Sequence, residues 1–275
     1  MAVRLHTNRY GKAETRLVRL VRDTPRHEII DLNVSVALSG DLDEVHLSGD
    51  NANVLPTDTQ KNTVYAFARD GIDGVEPFGL RLARHFVDSF APIRRATVTI
   101  EEYRWQRLGD HSFQRPVGGE VRTASVDYDG SVATVGAGLK DLLLLNSTDS
   151  EFSGYIKDEF TTLPEATDRI LATAVAAGWT YATSEMDFAK AYDAARAALI
   201  AGFTGTYSLS LQQTLYAMGA KVIEAVDEVD EVSLELPNKH HFLYDIERFG
   251  RDNPGLVFNA ADRPYGLIEG TVRRA

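Results

Sequence analysis

EIIDLNVSVALSG, residues 28–40, places Ile30, Leu32, Val34, Val36 and Leu38 on one side of an extended chain and Asp31, Asn33, Ser35 and Ser39 on the other. Side chains alternate across a strand with a period of two, so this pattern predicts a strand with one face in a core and one face in water. Half-wet sheets are characteristically antiparallel. Immediately before it, RLVRLVR reads as a partner strand. After it come two helical stretches, Thr57 to about Ala68 and Pro77 to Phe90. In the second, Phe78, Leu82, Phe86 and Phe90 recur every fourth residue, with Ala83 and Val87 widening an apolar stripe that calls for a sheet beneath it. Two more strands follow, ATVTIEEYRW and EVRTASVDY.

The same order then recurs. Strands are expected around VATVGAGLKDLLLL and GWTYATSEMDF, helices from Asp187 to Phe203 and from Ser210 to about Val226, and strands from Val232 and from Leu267 onward. The chain therefore reads as strand-strand-helix-helix-strand-strand twice, over 1–135 and 136–275. No Pro-, Gly- or Ser-rich linker separates the halves, which predicts one continuous sheet. The fold class is α+β, mainly antiparallel, with helices on one side of the sheet. The longest apolar run, LLLL at 142–145, reads as a short buried strand and is far below membrane-spanning length.

Composition narrows the partners. Of 275 residues, 40 are acidic and 29 basic, a net charge of -11 that opposes the phosphate neutralisation on which nucleic-acid binding depends. A hydrophobic content of 44% supports a sizeable core, and there is no cysteine for disulfides, thiolate catalysis or thiolate zinc sites. His6, His27, His46, His85 and His111 lack metal-ligand spacing, and no HExxH, GxGxxG, Walker or GxSxG pattern occurs. MAVRLHTNRYGKAETRLVRL has no continuous apolar core, and the chain stops at RRA rather than a peroxisomal SKL, so a cytoplasmic location is expected.

Several residues could carry chemistry. Thr57-Asp58-Thr59-Gln60 and Ser210-Leu211-Gln212-Gln213 both have a capping-box pattern, which predicts that Thr57 and Ser210 satisfy orphan amides at helix starts. A helix start also offers N–H groups and partial positive charge to an anion. In EVSLELPNKHHFLYDI the even positions from Val232 to Ile246 share one face of a continuous strand, which sets Asn238 and His240 on a mostly apolar face and turns His241 away. These are either a satisfied buried amide and histidine or a proton-transfer histidine beside a ligand-holding amide. Arg169 lies among helix-forming residues in PEATDRILATAV after a cap-like Thr162-x-x-Glu165, and Lys12 follows Tyr10-Gly11 at a strand end.

Taken together, YGKAETRLVRL (10–20), RHEIIDLNV (26–34), TDTQKNTVYAFAR (57–69), STDSEFSGYIKDEFTTLPEATDRILAT (147–173), SLQQTLYAMG (210–219), LPNKHHFLYDI (236–246) and ADRPYGLIEGTV (261–272) closely resemble the uricase, or urate oxidase, family over nearly the whole chain. The resemblance implies a tunnelling fold, with tandem ββααββ repeats, a barrel closed by oligomerisation and a homotetramer with active sites at subunit interfaces. It implies oxidation of urate by molecular oxygen and water to 5-hydroxyisourate and hydrogen peroxide, with no metal and no organic cofactor. By the same resemblance Phe152 stacks on the purine, and Arg169 and Gln212 grip its edge. The backbone N–H groups of Asp58 and Leu211 bind other edge atoms, and Asn238 and Thr57 hold oxygen or water above the ring. Lys12, Thr57 and His240 form the proton relay. Asn146, Tyr155 and Gly178 depart from the usual family residues without touching those contacts. Two alternatives remain at this stage: another purine- or pterin-converting enzyme on this fold, and a catalytically silent purine-binding oligomer.

Overall fold

A computed structural model describes residues 3–275 of the chain. The elements in order are β1 (Tyr10–Val21), β2 (Glu28–Gly40), α1 (Asp43–Leu47), α2 (Thr57–Asp70), α3 (Val75–Ser89), β3 (Ile93–Tyr103), β4 (Gln106–Arg107), β5 (Phe113–Gln114), β6 (Val121–Tyr128), β7 (Ala133–Asn146), β8 (Leu171–Tyr181), α4 (Phe188–Thr204), α5 (Leu211–Ala225), β9 (Val229–Pro237), β10 (His241–Leu243), a 3-10 turn at Glu247–Phe249, β11 (Phe258–Ala260) and β12 (Leu267–Arg273). They form two compact units. One comprises the chain through Gly138 together with Thr180–Lys190, the other Leu139–Trp179 together with Ala191–Ala275.

In the first unit the strands run in the order β1-β2-β3-β6, all antiparallel neighbours. The alternation in β2 places Leu32, Val34, Val36 and Leu38 in the core, and α3, with Phe78, Leu82, Ala83 and Phe86 all buried, packs on the neighbouring strands β3 and β6. The other face of β2 is half-covered rather than open, and Asp31 departs from the expected wet position. It is only 3% exposed, because Arg16 pairs with its carboxylate at 2.5 Å and the Trp105 indole N–H donates to it at 2.9 Å. A carboxylate can leave water only when its charge and lone pairs are met in this way.

A second ion pair lies deeper. Glu76, in the first turn of α3, accepts from Arg122 of β6 at 2.8 Å on both carboxylate oxygens, and neither side chain is more than 7% exposed. It pins the start of α3 to the sheet.

The second unit repeats the plan with strand order β7-β8-β9-β12. Here α5 covers β9 and β12. In each unit one helix touches its sheet at a glycine: a Cβ on Gly79 would meet the Val126 side chain at 2.9 Å, and one on Gly219 would meet Val272 at 2.7 Å. Two segments differ from their sequence reading. PEATDRILATAV has the composition of a helix, yet Leu171–Tyr181 is a strand with Leu171, Thr173, Val175, Ala177, Trp179 and Tyr181 buried on one face and Ala174, Ala176 and Gly178 half-buried on the other, as local propensity yields to a site in mid-sheet. Of LLLL at 142–145 only Leu142 is buried, while Leu143 and Leu145 are 64% and 50% exposed. Asp141, with φ of 62°, interrupts the strand just before them.

Removing one member of a buried ion pair strands the other charge. Glu76→Gln should therefore lower the unfolding free energy by roughly 3–5 kcal/mol, read from urea denaturation, whereas Arg94→Gln, which loses only an exposed partner in Asp41, should leave the urea midpoint nearly unchanged.

Candidate active site

In the first unit Lys12 sits at a β-bulge. It pairs with Val36, and the next ladder pair is Thr15 with Val34, so β1 carries one residue more than β2 across this step. Inside the bulge Glu14 has φ of 56°, and its N–H donates to the Ser35 hydroxyl at 2.9 Å. A bulge bends its strand and re-aims adjacent side chains. Lys12 lies near enough to the start of α2 for its charge to be felt there. The Asp58 carboxyl is held below its ordinary value first by Lys61, which donates to it at 2.5 Å, then by Asn62 at 3.0 Å, and also by the positive charge of Lys12.

The start of α2 differs from the expected capping box. Pro56, with φ of -54° and ψ of 139°, occupies the N-cap position and contributes no side-chain bond. Thr57 is therefore already the first helical residue, too late to act as a cap. The Gln60 side chain turns back instead to the Leu55 carbonyl at 3.2 Å. Among the described residues neither the Thr57 hydroxyl nor the N–H of Asp58 has a hydrogen-bond partner. Helix α2 begins with its donors open.

In the second unit Phe152 and Ala166 form an isolated antiparallel bridge, Phe152 N–H to Ala166 C=O at 2.8 Å and the reverse at 3.0 Å. This bridge brings Arg169 back over Phe152, with the guanidinium carbon 5.3 Å from the ring centroid. Arg169 is also fixed at both ends of its own contact with Ser150, N–H to carbonyl at 2.8 Å and Nε to hydroxyl at 3.3 Å. Burial pushes its pKa down from the ordinary arginine value, which leaves an incompletely solvated cation beside an aromatic ring. The ring of Tyr155 stacks on Phe152 at 4.9 Å and 15°, and its hydroxyl donates to the Leu163 carbonyl at 2.5 Å.

Three buried hydroxyl residues connect this cluster to α5. Ser150 bridges Ser208, the Glu151 N–H donates to the Ser208 carbonyl at 2.8 Å, and the Thr214 hydroxyl donates to the Ser208 hydroxyl at 2.9 Å. Ser208 in turn donates to the Ser210 carbonyl at 3.0 Å. Ser150, Ser208 and Thr214 have no exposed surface. Sequence reading passed over all three, since isolated hydroxyl residues around a helix start carry no signal beyond capping. Ser210 does cap α5, accepting from Gln213 N–H at 3.2 Å, while the Gln213 side chain receives the N–H of Leu209, one residue earlier than a capping box requires. Leu211 is buried, and Gln212 projects from the first turn with its amide unpartnered among the described residues.

Asn238 and His240 do not share a continuous strand. Proline ends β9 at position 237, and β10 starts a separate ribbon with β11 at His241. Asn238 instead bridges Thr173 of β8, with its N–H on the Gly266 carbonyl at 2.8 Å, and the Lys239 N–H reaches the Ala172 carbonyl at 2.8 Å. The ring of His240 stacks on Phe242 at 5.4 Å and 20°. Its pKa lies below the ordinary histidine value because of burial first, then the charges of Arg169 and His241. It is a neutral imidazole at pH 7, able to accept a proton. Among the described residues no cluster of three His, Cys, Asp or Glu is placed to hold a metal ion.

The uricase family model matches residues 8–132 and 135–269. This chain belongs to the uricase family. It is 53% identical over 272 residues to the uricase of Arthrobacter globiformis, covering 98% of this chain and 90% of that protein, and 37% identical to the uricase of Dictyostelium discoideum, covering 98% and 96%. The crystal structure of uricase from Arthrobacter globiformis superposes with a TM-score of 0.96 at 52% identity, covering 100% of this chain and 96% of that one. The α+β tunnelling fold of uricases is thus the fold of this chain.

For His240 the sign of its pH dependence follows from the depressed folded-state pKa. The unfolded chain takes up its proton first as pH falls, so the stabilising effect of a neutral His240 is complete above about pH 6.5 and declines as pH drops toward the folded value. In an NMR titration the His240 resonance should show a pKa below 6.5, and Arg169→Met should move it upward by removing a neighbouring positive charge. An unshifted or lowered pKa in that variant would contradict the coupling.

Proposed function

We propose that this uricase-family chain, as a cytoplasmic homotetramer built of two ββααββ repeats per subunit, oxidises urate at sites each assembled from two subunits. One subunit would supply Lys12, Thr57 and Asp58, and its neighbour Phe152, Arg169, Leu211, Gln212, Asn238 and His240. Urate oxidase activity goes with membership of the family; the division of labour among these residues is our reading. What supports it above all is a set of polar heads left uncommitted. Among the described residues the side chains of Thr57, Gln212, Asn238 and His240 have no hydrogen-bond partner, and Lys12 forms neither a hydrogen bond nor a salt bridge.

The chemistry suits that set. Urate is a flat anion. Phe152 offers it a stacking surface already fixed from behind by Tyr155, and Arg169 with Gln212 offers a charge-assisted fork and an amide for its pyrimidine edge. The open N–H groups at the starts of α2 and α5 add oriented partial positive charge. Removing a further proton makes the ring electron-rich enough to give up two electrons to oxygen. Dioxygen then leaves as hydrogen peroxide, and water delivers its hydroxyl to C5 to form 5-hydroxyisourate. The substrate supplies the reducing power that a bound cofactor supplies elsewhere. Protons must travel meanwhile. Thr57 carries a hydroxyl free of capping and precedes Asp58, which feels the positive charge of Lys12; with His240 as acceptor, these three would make a relay from ring to solvent. Asn238 and Thr57 would hold oxygen or water over the ring.

The assay is aerobic loss of urate absorbance with matching peroxide release by the purified, metal-free protein. Lys12→Met and Thr57→Ala should each reduce kcat by about 10²-fold or more. Full rates in both variants would remove the relay, and urate binding in the absence of oxygen without aerobic turnover would point instead to a silent purine-binding oligomer.

A further inference from the structure

The relay read above needs Lys12, on a strand, and Thr57, on a helix, to hold a fixed separation, and neither is fastened by its own side chain. The fastening lies two residues upstream of each. The Tyr10 hydroxyl accepts from the Leu55 N–H at 2.9 Å and donates to the Leu55 carbonyl at 3.0 Å. The same carbonyl takes a second donor, Nε2 of the fully buried Gln60, at 3.2 Å. Burial raises the Tyr10 pKa, so its hydroxyl keeps the proton that it donates.

We propose that Tyr10 is the positioning residue that sets Lys12 against Thr57. This inference rests on the relay reading of Lys12 and Thr57. Tyr10 and Lys12 are two apart on β1 and so project to the same side of the strand. Leu55 and Thr57 are two apart across Pro56, whose ring fixes the backbone between them. A phenol bonded to both polar groups of one residue has no rotational freedom left in its contact, so the strand and the helix start move as one piece there. Gln60 closes the triangle from inside the helix. Lys12 is the last regular pair of β1 before the bulge at Glu14, so the short ladder from Tyr10 to Lys12 and the clamp at its start hold Lys12 from one side only.

Tyr10→Phe keeps the ring and deletes the clamp. Measured with urate on the intact assembly, it should lower kcat by about 10-fold to 10²-fold, the cost of misplacing a catalytic group by about an ångström, with KM for urate changed less than about threefold. The decisive measurement is a double-mutant cycle with Lys12→Met. If Tyr10 works through Lys12, adding Tyr10→Phe to Lys12→Met lowers the rate no further. A merely structural tyrosine would lower kcat by the same factor in both backgrounds, and that result overturns the proposal. So does a wild-type kcat in Tyr10→Phe alone. Circular dichroism and oligomer mass of each variant separate misfolding from misplacement, and Gln60→Glu, which removes one of the two donors to Leu55, should reduce kcat in the same direction if Tyr10→Phe proves unstable. Failure of the relay reading looks different: Lys12→Met would then be active, before Tyr10 is touched.

Discussion

Burial of one sheet face beneath a pair of helices is the constraint on which everything else in each unit depends. Strands β3 and β6 offer an apolar face, α3 packs on it with Phe78, Leu82 and Phe86 buried, and Gly79 lets the helix come within contact of Val126. The second unit does the same with α5, β9 and β12 through Gly219. Close packing leaves the helix axes little freedom. In the second unit the packed helix is itself the one whose N-terminal end carries Leu211 and Gln212, whereas in the first unit Thr57 and Asp58 start α2, which packs on α3 and on β1.

The two helix starts are finished differently, and the difference has chemical content. Ser210 caps α5 with its hydroxyl, and Ser208 with Thr214 builds a buried hydroxyl chain behind it. That start is rigid, suited to presenting an amide to a ligand edge. At α2 a proline replaces the capping side chain, and the work of fixing the turn passes to Tyr10 and Gln60 on the Leu55 carbonyl. The hydroxyl of Thr57 is thereby released from a structural duty that its sequence context assigns to it. A group required both to cap and to exchange protons would lose its helix bond each time it turned toward a substrate.

Much of this was legible in the sequence and some was not, for identifiable reasons. Alternation in β2 and the fourfold stripe in α3 report burial directly, and both survive in the structure with ends shifted by a residue or two. Leu171–Tyr181 was legible only at its end, from Gly178, because its half-covered face carries Ala172, Ala174, Ala176 and Gly178 rather than polar residues, so the alternation is faint and the alanines favour a helix until neighbouring strands decide otherwise. The pattern that set Asn238 and His240 on a strand face failed at Pro237, which cannot donate within a ladder and ends β9 there. Asp31 looked like a wet residue because its partners, Arg16 and Trp105, lie 15 and 74 positions away. Ser150, Ser208 and Thr214 were invisible for the same reason: their roles are defined by contacts between segments that share no local signature.

An acidic residue at the first turn of α2 repels an anionic substrate, and the resolution lies in how Asp58 is held. Its carboxylate is turned along its own helix onto Lys61 and Asn62, with Lys12 adding positive field. The carboxylate thus stays ionised where the helix end favours it, and it meets cations one turn on rather than facing the open N–H groups. Lys61 holds that carboxylate at 2.5 Å from within the same helix, where i,i+3 spacing brings it at little conformational cost. The start of α2 thereby gathers Lys12 and Lys61 around one carboxylate even though the chain as a whole bears a charge of -11.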